Sequence, residues 1–116
     1  MALCQGNSHY LFERMVRTMA RFKKASDIKV GVVGYGGAFN MGYAHLNEMQ
    51  RAGMVPTAVA EIDPSRLEVA TKDFPGIATF ASLSEMLRKS DVNLVAIITP
   101  HNTHAKLALQ CLRAGR

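Results

Sequence analysis

From position 28 onward, apolar and polar residues alternate in blocks, and each apolar block ends at a turn signal. Residues 28–33 (IKVGVV) form a β-rich run that stops at Gly34, which predicts a buried strand. A glycine-rich turn follows, and residues 41–52 have the spacing of a helix, with Gly53 placed as its cap. Residues 55–62 predict a second strand, with Pro56 near its start, where a missing N–H is tolerated. Asp63-Pro64 then opens a helix, since Asp63 can cap free amides while Pro64 suits the first helical position. Leu67, Val69 and Ala70 give that helix an apolar side, and Pro75-Gly76 ends it. Residues 77–80 predict a short third strand, and Ser82 with Glu85 has the spacing of a capping box heading a helix through Lys89. Residues 93–99 (NLVAIIT) read as a fourth strand, apolar enough to be covered on both faces. Residues 103–114 predict a last helix, with Ala105, Ala108, Cys111 and Leu112 on one side and Gly115 as its stop.

The order β-α-β-α-β-α-β-α with short connections predicts an α/β fold, a doubly wound parallel sheet built from right-handed crossovers. A chain of 116 residues holds a single domain at most. There are no internal repeats, and the longest apolar run, 94–98, is strand-sized and far short of a membrane span.

Charge separates the chain into two parts. Residues 1–27 carry five bases against two acids, and residues 28–116 carry nine against seven, so the net charge of +5 belongs largely to the leader. The domain proper is near neutral, which argues against a nucleic-acid-binding face. Within the leader, Leu11, Phe12, Met15, Val16 and Met19 recur at roughly helical spacing. That pattern fits a targeting or membrane-surface helix, a mobile extension, or a translation start assigned too early, with Met15 or Met19 as the true start. Cys4 and Cys111 have no metal-ligand spacing. Cys111 reads as a small buried hydrophobe, and a cytoplasmic setting is expected.

The candidate chemistry lies at the ends of strands. Gly34-Tyr35-Gly36-Gly37 sits between the first strand and the first helix. Glycine there permits positive φ and close approach of a diphosphate, and a helix start offers free N–H groups. The third glycine of a G-x-G-x-x-G pattern would fall at Phe39, and the next glycine is Gly42. A turn lengthened by three residues such as Ala38-Phe39-Asn40, running into Met41, explains this, with Gly42 taking the close helix-to-strand packing role. Glu61 lies 19 positions beyond Gly42, near the offset at which a carboxylate meets the adenosine ribose. Glu61 with Ile62 after it favours NAD over NADP, and Arg66 weighs the other way. Thr99-Pro100-His101-Asn102-Thr103-His104 ends the fourth strand and should face the glycine turn across a crevice. His101 and His104 suit a loop position near the cofactor and a first-turn helix position, with no catalytic or metal role assigned.

At these residues the sequence resembles the amino-terminal domain of the Gfo/Idh/MocA oxidoreductases, from Ile28 to Arg116. The carriers are Val32-Val33-Gly34-Tyr35-Gly36-Gly37 and Ala58-Val59-Ala60-Glu61-Ile62-Asp63-Pro64, then Ile97-Ile98-Thr99-Pro100 with His104, and Ala108-Leu109 to Ala114-Gly115. The resemblance implies a Rossmann-like domain in which Gly34, Gly36 and the turn behind them hold the NAD diphosphate. It places Glu61 by the adenosine ribose and Thr99-Pro100 along the path to the nicotinamide. It also implies oxidation or reduction of a hydroxyl carbon on sugars or cyclitols.

In the resembled family, the helix ending in Ala-Gly leads into a further strand, a Glu-Lys-Pro motif with the catalytic lysine, and a substrate domain. The sequence ends at Arg116 before these, so no residue is assigned catalysis and the domain is expected to be incomplete on its C-terminal side. The fourth strand should then present an open edge, favouring association into a homo-oligomer or a longer polypeptide. Three functions remain open: the cofactor-binding part of a dehydrogenase, a stand-alone dinucleotide-binding module without catalysis, or another Rossmann-type binder such as a nucleoside-cofactor transferase.

Overall fold

The computed structural model describes residues 22–37 and 40–116. The helical spacing of Leu11, Phe12, Met15, Val16 and Met19 falls outside these residues, as does Cys4. A short 3-10 turn at Ala25–Asp27 leads into β1 (Lys29–Val33), α1 (Met41–Arg51), β2 (Val55–Ala60), α2 (Pro64–Asp73), β3 (Ala78–Phe80), α3 (Leu83–Lys89), β4 (Leu94–Ile97) and α4 (His101–Arg113).

The four strands form one parallel sheet in the order β3-β2-β1-β4. Val32 of β1 pairs with Val59 of β2 on one side and Ala96 of β4 on the other. The chain winds outward from β1 to β3 and then returns to place β4 on the opposite flank. Strand order therefore reverses between β1 and β4, which opens a crevice above their carboxyl ends.

Period-two alternation along β1 supplies both layers of the core. Val30 and Val32 pack with Leu46 of α1 and Ala70 and Phe74 at α2, while Val33 joins Leu83, Met86, Val92 and Cys111 on the opposite face. Each buried valine contributes about 1.5–3 kcal/mol relative to exposure. Small residues let the second layer approach: a Cβ on Gly31 would lie 2.9 Å from the Met86 methyl.

Local chemistry sets the element ends. Asp63 Oδ1 accepts from the Ser65 amide at 3.0 Å, so the expected Asp-Pro start of α2 is present. Gly53 has φ +95 and donates to the Gln50 carbonyl, closing α1 as expected. Ser82 accepts from the Glu85 amide at 3.2 Å, but the Glu85 carboxylate accepts from Lys89, so only one half of the capping box forms.

Four expectations need correction. The last helix begins at His101, two residues earlier than expected, because Pro100 leads straight into it and the Thr103 hydroxyl bonds back to the Pro100 carbonyl. Ala105 and Leu112 face outward, Leu112 being 68% exposed, and Cys111 with Leu107 carries the inner side. Likewise β4 is half-buried rather than sealed on both faces, since it forms one edge of the described sheet. Val69 of α2 is also exposed, and Ala70 alone is buried there. Among the described residues, no helix is long and apolar enough to cross a membrane.

Candidate functional site

A cleft of about 720 Å³ opens above the carboxyl ends of the strands. The end of β1 forms its floor. Gly34, Gly36 and Gly37 have φ of +93, +76 and +83, the left-handed region where a side chain costs roughly 1–3 kcal/mol. A Cβ on Gly34 would lie 2.1 Å from the Ile98 carbonyl oxygen, so this bend meets the end of β4 backbone to backbone. A Cβ on Gly42 would lie 2.8 Å from the Gly34 carbonyl oxygen and 3.0 Å from the Tyr35 ring. Gly42 thus lets α1 start directly on the bend, the close-packing role its position suggested.

Ala38 and Phe39 lie outside the described residues. Asn40 follows them in a left-handed conformation (φ 43, ψ 47) at the head of α1, and Met41 is the first helical residue. The Asn40 side chain makes no capping bond to α1, and its Oδ1 is buried without a partner. The first amides of this eleven-residue helix are therefore not capped by that side chain, and they carry the partial positive charge of a helix start.

Glu61 stands just past β2 and is only 8% exposed. Its Oε2 accepts from the Ile62 and Asp63 amides at 2.5 and 3.4 Å, and its Oε1 accepts from Arg66 Nη1 at 3.2 Å. These donors offset the cost of burying a carboxylate and turn the chain out of β2. The strand accordingly ends at Ala60, two residues short of the expected 62, and Ile62 projects into solvent at 88% exposure. The Asp63 carboxyl is held below the usual range, chiefly by the Ser65 hydroxyl and then the Ser65 amide.

The opposite wall is the end of β4 and the start of α4. The Thr103 hydroxyl donates to the Pro100 carbonyl at 2.7 Å, which leaves it to accept from Thr99 Oγ1 at 2.7 Å. His104 Nε2 donates to the Thr99 carbonyl at 2.6 Å. Thr99 and Pro100 line the cleft, pinned in this way, whereas His101 and His104 do not line it. His104 serves the wall from behind, and His101 is exposed on the first turn of α4. No group of three metal-ligating side chains occurs among the described residues.

Of the residues singled out from sequence, Gly34, Tyr35, Gly36, Glu61, Ile62, Thr99 and Pro100 line one cleft, whereas Gly37, Asn40 and Met41 do not line it. Thr103, from the stretch expected to face the glycine turn, also lines it, but sequence reasoning missed the rest of the far wall: Lys106, Leu107 and Gln110 of α4, and Ser82 to Ser84 at α3. The spacing 103, 106, 107, 110 is itself a helical face and carried that information. From sequence, Arg66 only weighed toward NADP, whereas in the structure its side-chain stem lies 3.1 Å from where a Gly36 Cβ would be.

This arrangement suits an adenine dinucleotide. A glycine bend and a helix start without a side-chain cap offer N–H groups to linked phosphates, a buried acceptor-rich carboxylate stands at the end of the neighbouring strand, and a partly apolar slot lies beyond it.

Comparison with known proteins agrees. Residues 28–116 match the Gfo/Idh/MocA family profile, described as an oxidoreductase family with an NAD-binding Rossmann fold. The chain is 26% identical over 102 residues to a scyllo-inositol 2-dehydrogenase (NADP(+)) of Bacillus subtilis, covering 88% of this chain and 27% of that protein. It is 36% identical over 91 residues to an inositol 2-dehydrogenase of Leifsonia xyli, covering 77% and 26%. The scyllo-inositol dehydrogenase of Lactobacillus casei, solved with NAD(H) and scyllo-inositol bound, superposes with a TM-score of 0.67 at 25% identity. That match covers 77% of this chain and 26% of the other. The chain thus spans about a quarter of the length of the relatives it matches.

Proposed function

The chain belongs to the Gfo/Idh/MocA oxidoreductase family by its NAD-binding Rossmann domain, and on that premise we propose that residues 28–116 hold NAD, in preference to NADP, for an oxidoreductase acting on a polyol or sugar-like substrate. One observation carries the reading: the bend at Gly34 abuts the end of β4 at the point of strand reversal, with the Glu61 carboxylate on the same cleft. In this reading the bend and the start of α1 bind the diphosphate, Glu61 Oε1 accepts from the adenosine ribose, and the slot toward Leu107 takes the adenine. Thr99 and Pro100 direct the rest of the dinucleotide away from the sheet. Bound NAD supplies the hydride acceptor, and the residues described here bind and orient it.

NAD is preferred because a 2′-phosphate would meet the Glu61 carboxylate, which is buried and held by three N–H donors. Arg66 already spends one N–H on that carboxylate, which tempers the repulsion without removing it. The substrate class follows the inositol dehydrogenases that this chain is similar to. A cytoplasmic setting fits this reading.

Parallel titrations with NADH and NADPH test the reading. Tighter binding of NADH by tenfold or more is expected. Equal affinities, or tighter NADPH, would overturn the NAD preference, and no binding of either would overturn the dinucleotide role.

A further inference from the structure

Of the four residues in the bend, 34 to 37, only Tyr35 has a side chain. The three glycines around it all have positive φ and carry nothing that could fix their conformation from within. Whatever holds the bend in shape must therefore act through Tyr35 or through the backbone. The Tyr35 ring does not enter the cleft as a ligand contact: the residue is 2% exposed, packs in the core with Leu46 and Phe74, and lies under the start of α1. Its hydroxyl donates to Asp73 Oδ2 at 2.6 Å, across 38 positions of sequence. Burial, reinforced by that bond, raises the phenol pKa, so the donor keeps its proton.

Asp73 is the last residue of α2. The first turn of the same helix carries Arg66, whose stem lies against Gly36 and whose guanidinium meets Glu61. One helix thus touches the bend at Gly36, reaches it again through Tyr35, and also holds the carboxylate at the end of β2. Asp73 itself is exposed and does not line the cleft.

We propose that Asp73 is a positioning residue that, through the Tyr35 hydroxyl, presets the glycine bend at 34–37 for a diphosphate. The inference rests on the reading that this bend receives the linked phosphates of the cofactor. It separates the two halves of the nucleotide, because the strut reaches the phosphate-binding bend and leaves the Glu61 end to Arg66.

Affinities of this chain for ADP and for adenosine, measured by calorimetry and by chemical-shift titration, test it. Asp73→Ala and Tyr35→Phe should each weaken ADP by roughly five- to tenfold, the size of one lost hydrogen bond. Adenosine should bind both variants as it binds the parent chain. The double variant should be no weaker than either single one, and Asp73→Asn, which restores an acceptor, should recover most of the ADP affinity. If Tyr35→Phe fails to fold, Asp73→Ala at the exposed helix end carries the same comparison. Unchanged ADP affinity in Asp73→Ala, or an equal loss for ADP and adenosine, would overturn the proposal while leaving the cofactor site intact. A parent chain that binds neither ADP nor NADH would instead remove the reading beneath it.

Discussion

Gly34 and Ile98 meet so closely that a methyl group on the glycine would have its carbon 2.1 Å from the Ile98 carbonyl oxygen. Two strand ends adjacent in the sheet, but 64 positions apart in sequence, are locked together at that contact. Gly34→Ala combines the clash with an unfavourable φ of +93 and should destabilise the fold by about 3 kcal/mol or more. Urea unfolding measures it, and a loss below about 1 kcal/mol would show that the bend relaxes freely.

Gly42 tests the second close approach. An alanine would improve helix propensity by about 1 kcal/mol but place its Cβ 2.8 Å from the Gly34 carbonyl oxygen. The clash should win, with a net destabilisation of about 1–2 kcal/mol and weaker NADH binding as α1 is pushed off the bend. A stabilised variant with unchanged NADH affinity would mean that α1 starts with room to spare.

In the proposed reading, Glu61 and Arg66 set the selectivity at the ribose end. Glu61→Ala should weaken NADH by about 1–3 kcal/mol, the range for a lost charge-assisted partner. Arg66→Leu removes the guanidinium paired with that carboxylate and should raise the preference for NADH over NADPH by about tenfold. Fluorescence titrations with both nucleotides read these effects, and an unchanged NADH dissociation constant for Glu61→Ala would remove the carboxylate from the ribose contact.

Tyr35 gives the fold an alkaline limit. Its phenol is raised from the ordinary value of 10.0 by burial and by Asp73, so its contribution is fully present below pH 10. Above that pH the unfolded chain ionises first and the contribution declines, by up to ~1.4 kcal/mol per pH unit. Between pH 8 and 11 the unfolding midpoint of the parent chain should therefore fall more steeply than that of Tyr35→Phe. Parallel slopes would show that this phenol does not titrate with folding.

The order of elements and the place of the cleft were legible because they follow from patterns local in sequence: β-rich runs stopped by glycine, the Asp63-Pro64 helix start, the glycine bend after β1. Misreadings arose where tertiary contacts decide. Residues 93–99 look like a fully covered strand, yet β4 lies at the sheet edge, and strand order is not written in hydropathy. Thr103 resembles a helix start, but its hydroxyl is engaged by Pro100 and Thr99 inside the first turn of α4. Tyr35 stands among glycines in the bend, and the burial of its ring in the core is decided by tertiary contacts. Its partner Asp73 was invisible for the same reason, since nothing local links positions 38 residues apart.

The central claim is that the cleft above β1 and β4 receives an adenine dinucleotide, and calorimetric titration of this chain with NADH tests it most directly. Saturable binding near one equivalent, displaced by ADP and abolished in Gly36→Val, is the expected result. No saturable heat from a folded chain, or equal heat from Gly36→Val, would contradict it.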